Sequence, residues 1–308
     1  MNVIDWRRVE PGAIARLFAH EREQWLVDLG WDTTDNFAAI EHARTTWGLP
    51  GLAVVGPAGL LGLTFFFATA SRFDIGGLWA TSRDVAEHLL RAVTEAGRDA
   101  GLVEGGAFVR VPPYVVQAFQ ATGFTVEPFH YLSRTLRTES QGIPNLGHLA
   151  SRTWQDGDEA LVADLLAQSY HPSDGERFAP GGGADAWRAY VASLTQQTAC
   201  GRLLPECSHL MFEGPTLVGA TLVTHLGPST AHLAQLAVRA GWQGRGVGAW
   251  LVRTSEESAF KSGSTRMTLL VSGRNDAAQR LYARRGYVDV ATFIGASRPV
   301  AERLASAS

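Results

Sequence analysis

Cysteine is nearly absent from this chain: there are two in 308 residues, Cys200 and Cys207. That excludes a disulfide scaffold and a zinc site built from four cysteines, and it fits a reducing, cytoplasmic setting. Lysine is rarer still. Lys261 stands alone, so arginine carries almost all of the positive charge, which reads as compositional bias. An excess of one charge sign is missing too. With 27 basic and 30 acidic side chains the net charge is −3, which offers no global attraction for nucleic acid or an anionic membrane. The chain opens Met1-Asn2-Val3-Ile4-Asp5-Trp6-Arg7-Arg8, with an early acid and no apolar run behind it, so no secretion signal is expected. One uncharged stretch, Gly51 to Ala70, has the length of a membrane span, but Gly56-Pro57-Ala58-Gly59 interrupts it with turn chemistry. Two adjacent buried strands are expected there.

Hydrophobic residues make up 45% of the chain and charged residues 19%, enough apolar material to exclude a disordered chain and to fill a core. The length favours two domains. In the first half, helices are expected over Ala13–Leu29, Thr34–Trp47, Ser82–Ala100 and Pro113–Thr122. Strands are expected over Leu52–Val55, Leu60–Ala68, Ala107–Val111 and Phe124–Leu136. The polar, turn-rich stretch Arg137–Gly147 then marks a boundary between domains 1–138 and 148–308.

The second half repeats the order. Helices are expected over Asp158–Tyr170, Ala184–Gln197, Gly248–Gly263 and Asp276–Arg285. Strands are expected over Cys207–Phe212, Leu217–Leu226, His232–Val238, Met267–Val271 and Tyr287–Phe293. The fold class is α+β: two tandem domains, each a mostly antiparallel mixed sheet flanked by helices. Matching Gly123-Phe124 to Gly286-Tyr287 and Gly62 to Gly219 reads as an ancient duplication.

The chemistry concentrates in one loop, Gln243-Gly244-Arg245-Gly246-Val247-Gly248, which follows an apolar strand and opens a helix. Glycines let the backbone turn tightly, and free N–H groups at a helix start make an anion site. A plain glycine-rich connector is the bland alternative. A dinucleotide site is the rival, but it expects a parallel βαβ unit and a downstream acid. Further on comes Asn275-Asp276-Ala277-Ala278-Gln279-Arg280-Leu281-Tyr282-Ala283-Arg284-Arg285-Gly286-Tyr287. The loop resembles the Q/R-x-x-G-x-G/A motif of GCN5-related N-acetyltransferases (the GNAT family), and the second segment resembles their N-x-x-A-x-x-L-Y-x-x-x-G-F/Y motif. The strong match runs from Ala231 to Phe293, and Gly62 to Phe129 resembles a degenerate copy. Tandem copies with one worn half also occur in mycothiol synthases.

This resemblance implies a site. Leu236, Ala237 and Val238 would offer backbone groups to the pantetheine arm of acetyl-CoA, and Gln243, Gly244, Arg245, Gly246, Val247 and Gly248 would wrap its pyrophosphate. Asn275 would hydrogen-bond the cofactor arm, and Tyr282 would protonate the departing thiolate. Acetyl-CoA is then the cosubstrate, no metal is expected, and a small-molecule primary amine is the acceptor, attacking the thioester directly. The protein would be a monomer or homodimer with no nucleic-acid or membrane partner.

The general base is open between His232 and His225, with Glu206 and His209 nearby, and each is also readable as structural. His171, Asp174 and Glu176 lie in a loop where the family builds acceptor contacts, or are simply exposed. Trp187 and Tyr190 read as core, and both cysteines as buried thiols. In the first half Phe119 stands opposite Tyr282 and Pro112 opposite Asn275, and no phosphate loop is present, so this half is expected to bind no cofactor. Two other readings remain open: a sensor that holds acyl-CoA without turnover, and a protein lysine acetyltransferase. An aminoacyl-transfer relative is disfavoured, because it would not need the phosphate loop.

Overall fold

The computed structural model describes residues 2–57, 59–68, 71–138, 146–170, 183–196 and 200–299. The first half has strands β1 (Asn2–Asp5), β2 (Gly51–Gly56), β3 (Gly59–Ala68), β4 (Arg72–Ala80), β5 (Glu104–Arg110) and β6 (Thr125–Thr135). Its helices are α1 (Pro11–Gln24), α2 (Thr34–His42), α3 (Arg83–Asp99) and α4 (Pro113–Ala121). The second half has β7 (Ala150–Thr153), β8 (Arg202–Leu203), β9 (His209–Glu213), β10 (Thr216–Gly227), β11 (Thr230–Val238), β12 (Arg266–Ser272) and β13 (Val288–Pro299). Its helices are α5 (Glu159–Ser169), α6 (Ala184–Thr195), α7 (Val247–Lys261) and α8 (Asp276–Arg284). The fold is therefore α+β, with helices on a mostly antiparallel sheet. The uncharged stretch from Gly51 falls into β2 and β3, and no described helix is long and apolar enough to cross a membrane.

Local sequence explains the long helices. In α3, Val85, Ala86, Leu89, Leu90 and Val93 recur at helical spacing and are buried, and the Ser82 hydroxyl accepts from the Val85 N–H at 3.3 Å. In α7 the buried face is Val247, Leu251, Val252, Ser255, Glu256 and Ala259. Val85 and Leu89 crowd Gly62 as Val247 and Leu251 crowd Gly219, which fixes the structural alignment of the two halves.

The halves share one thirteen-stranded sheet, ordered β1-β2-β3-β4-β5-β13-β6-β12-β11-β10-β9-β7, with β8 paired to β10. The last strand of each half has crossed over: β6 pairs with β12, and β13 pairs with β5. β6 and β13 also pair with each other, antiparallel, with Phe129 opposite Phe293 near the centre. This is an internal strand exchange, the arrangement that domain swapping produces between separate chains. Between the halves Leu29, Trp31, Tyr131, Leu226 and Phe293 form one buried cluster. Four elements escape the sequence reading: β1, β4, β7 and β8.

Candidate functional site

The central feature is a gap in the sheet. β11 and β12 run parallel and pair only from Thr230/Arg266 to Leu233/Leu269. At that point β11 bulges: Val223 of β10 faces Leu233, while the adjacent Leu222 faces Gln235, so Ala234 is the extra residue. The bulge shifts the side-chain alternation. Leu233 and Leu236 both pack in the cluster that holds Val252 of α7, while Ala237 joins the α5–α6 cluster. Leu236, Ala237 and Val238 stay paired to β10, and their other edge faces the gap. A backbone edge without its next strand can hydrogen-bond an extended ligand.

Beyond β11 lies the glycine loop. Gly244 and Gly246 have φ of +74° and +87°, a region that disfavours residues with a Cβ. Gly246 caps α7 with no side-chain hydrogen bond, and among the described residues no side chain bonds the first-turn N–H groups. The Gln243 amide donates to the Val238 carbonyl at 3.0 Å, tying the loop to the strand end. Arg245 lies over the Trp242 ring at 5.0 Å, and Val247 is buried beside Met211 and Val218. A Cβ on Gly248 would meet Val238 and Leu281 only at ordinary contact distance. The uncapped N–H groups and the helix dipole suit a polyphosphate, so these residues fit an acyl-CoA.

Asn275 caps α8, its Oδ1 accepting from the Ala278 N–H at 3.0 Å, and the residue is exposed at the helix start. Tyr282 is two turns further on and 6% exposed. Its ring meets Tyr287 edge-on at 5.6 Å, and its hydroxyl makes no hydrogen bond among the described residues. Burial raises the phenol well above its ordinary value, and nearby Tyr170 adds to that. It therefore stays protonated at neutral pH.

On the α5–α6 side of the sheet sits a hydrogen-bonded trio that the sequence reading misses. The Tyr170 hydroxyl donates to Gln235 Oε1 at 2.6 Å, and Gln235 Nε2 donates to the Tyr190 hydroxyl at 2.5 Å. Trp187 packs between the two rings, at 5.2 and 5.9 Å. Gln235 reaches this face because of the bulge, which residue spacing does not reveal.

The histidines fall on opposite faces of the sheet. His232 is 4% exposed, its Nδ1 2.9 Å from the Thr268 hydroxyl, beside Tyr131 and Trp31. Burial lowers its pKa to about 4. His225 shares the α7-side face with Val223 and is partly exposed. His209 is also buried, 2.9 Å from the Ser258 hydroxyl and lowered to about 4, while Glu206 is exposed. Burial raises both thiols, that of Cys207 to about 11, so neither is a thiolate at neutral pH. His171, Asp174 and Glu176 lie outside the described residues.

His232 gives a stability prediction. The folded state keeps it neutral, while the unfolded chain takes up a proton below about pH 6.5, so stability falls as pH drops from there toward 4. This one group accounts for about 2–3 kcal/mol between those limits. Urea midpoints at pH 7 and pH 4.5 for wild type and His232→Gln check it. The wild type should lose more on acidification than the variant, and equal losses would refute the assignment.

The first half keeps the frame without the equipment. β4 and β5 also pair over only four positions, from Arg72/Glu104 to Ile75/Ala107, and β4 bulges at Gly76. Phe65, Phe67 and Trp79 crowd the glycines there. Ser82 caps α3 in place of a glycine loop, Asp84 adds negative charge to its first turn, and Phe119 fills the tyrosine position.

Residues 170–287 match the model of the Acetyltransferase (GNAT) family. No curated protein matches the chain. A GCN5-related N-acetyltransferase from Sphaerobacter thermophilus is 18% identical, with a TM-score of 0.70 over 97% of this chain and 96% of that one. A tandem GNAT protein from the clavulanic acid biosynthesis pathway is 13% identical, with a TM-score of 0.59 over 82% and 83%. A GNAT-family acetyltransferase from Colwellia psychrerythraea is 12% identical, with a TM-score of 0.54 over 96% and 99%. With its motifs and its split sheet, the segment 170–287 matches the acetyltransferase (GNAT) family, on a fold that the chain shares with a tandem GNAT protein.

Proposed function

We propose that the second half transfers the acetyl group of acetyl-CoA to a primary amine of a small molecule. The observation that carries this reading is the uncapped, two-glycine start of α7 opening onto the gap between β11 and β12, with Tyr282 behind it. The cosubstrate supplies a thioester whose sulfur leaves as a thiolate. The first-turn N–H groups of α7 donate to phosphate oxygens, and the free edge of Leu236–Val238 holds the extended arm. The Asn275 oxygen is used by the helix, and its amide nitrogen, which bonds no described residue, donates to the same arm. The Tyr282 hydroxyl gives its proton to the departing sulfur. Holding both reactants in one gap supplies much of the remaining gain. Of the two candidate bases, His232 is too weakly basic to serve at neutral pH, so its ring is read as structural.

The test is release of free thiol from acetyl-CoA with a panel of primary amines. Release that depends on the amine supports transfer. Tight binding with no release for any amine favours the sensor reading, and acetylation of lysine peptides alone favours the protein acetyltransferase. Gly246→Ala forces a Cβ into left-handed backbone, a strain of about 1–2 kcal/mol, so it should weaken acetyl-CoA binding about tenfold. Unchanged affinity in a titration would count against the phosphate role of this loop.

A further inference from the structure

The strand exchange carries one arginine of the first half into the second. Arg134, on β6, hydrogen-bonds Glu256 of α7, and Arg285, just past α8, bonds the same carboxylate oxygen. Glu256 is buried, with 4% of its side chain exposed, and both guanidinium groups are largely covered. The Tyr287 phenol lies against Glu256, whose carboxylate, together with burial, pushes its pKa up. The Tyr287 ring in turn meets Tyr282. A contiguous set of contacts thus runs from the first half through α7 to the end of the helix that bears the tyrosine.

The first half supplies a control within the same molecule. Arg298 on β13 is the counterpart of Arg134, related by the Phe129–Phe293 pairing, and it crosses into the first half to bond the Thr122 carbonyl. The alignment of α3 with α7 puts Thr94 where Glu256 stands, and Thr122 stands where Arg285 does. Thr94 bonds its own helix, at the Leu90 carbonyl. Phe124 replaces Tyr287, and Phe119 replaces Tyr282. Where the ionic knot would be there is instead an open surface cleft lined by Thr94, Glu95, Thr122, Gly123 and Arg298, in which Glu95 makes no ion pair with Arg298. Both halves keep the crossing arginine, but among the described residues only the one in the half with the tyrosine is bonded to a carboxylate.

We propose that Arg134 is a positioning residue for the reaction of the second half: through Glu256 it fixes Arg285 and Tyr287, and so sets the placement of Tyr282. This rests on the acetyl-transfer reading, and it assigns the worn first half a task in that reaction. Buried ion pairs add little net stability but hold geometry closely, which suits such a device.

The experiment measures kcat, KM for acetyl-CoA and Tm in the full chain, at a temperature well below every Tm. Arg134→Met should lower kcat at least tenfold and leave KM for acetyl-CoA within twofold. Arg134→Lys, which keeps the charge, should recover much of the loss. If Arg134→Met does not fold, Glu256→Gln serves in its place with the same expected split. Thr94→Glu builds the matching pair with Arg298 in the half that lacks the tyrosine, and it should leave kcat unchanged. A lower Tm with normal kcat in Arg134→Met, or a parallel change in kcat and KM, would overturn the inference. So would a kcat change in Thr94→Glu. Thiol release by the wild type is the separate check on the underlying reading, which fails if there is none.

Discussion

Tyr282→Phe should cut turnover by about 10²–10⁴-fold while leaving acetyl-CoA affinity close to that of the wild type. The substitution removes one hydroxyl and keeps the ring that packs against Tyr287. The backbone edge of β11 and the α7 start, to which the proposed function assigns the cosubstrate, are untouched. The hydroxyl makes no hydrogen bond to the described protein, so its loss strands no buried partner and stability should hold. Steady-state kinetics and a binding titration on the same preparation separate these effects. Full activity in the variant would remove Tyr282 from the mechanism.

Glu256→Ala should have the largest effect on stability. It removes the buried carboxylate oxygen that Arg134 and Arg285 both bond. Breaking such a buried arrangement costs about 3–5 kcal/mol, because the charges left behind stay desolvated. That is a large share of the stability of an ordinary domain. Chemical denaturation should show a lower midpoint, whereas a change below about 1 kcal/mol would mean that water reaches the arginines easily. An exposed pair such as Arg83 with Glu87 should give only a small effect when broken, and makes a useful comparison.

Much of the fold was legible because local rules decide it. The amphipathic run after Ser82, the stop at Gly123, and the turn at Gly56-Pro57 each act within a few residues, and each produced the expected element. β4 was missed because Gly76-Gly77 breaks its strand pattern, and those glycines are there to admit the Phe65 and Trp79 rings. The strand exchange was out of reach. β6 and β13 are long strands in any arrangement, and their partners are chosen by packing across about half the chain.

The site divides along the same line. The glycine loop and Tyr282 stood out because each lies in a short motif whose residues are contiguous in sequence. The Tyr170–Gln235–Tyr190 trio depends on a single bulged residue, Ala234, which moves Gln235 to the α5–α6 side. Nothing in the sequence around Arg134 marks it out. Its role as a bridge follows only from the crossing of β6 into the other half.

The central claim is that one half of this tandem chain is equipped for acetyl-CoA and the other is not. Calorimetric titration of the full chain with acetyl-CoA tests it most directly, because it reads stoichiometry as well as affinity. The account predicts one site per chain, weakened by Gly246→Ala and unaffected by changes at Ser82. Two sites would contradict the reading of the first half, and no binding would remove the cosubstrate on which the proposed function depends.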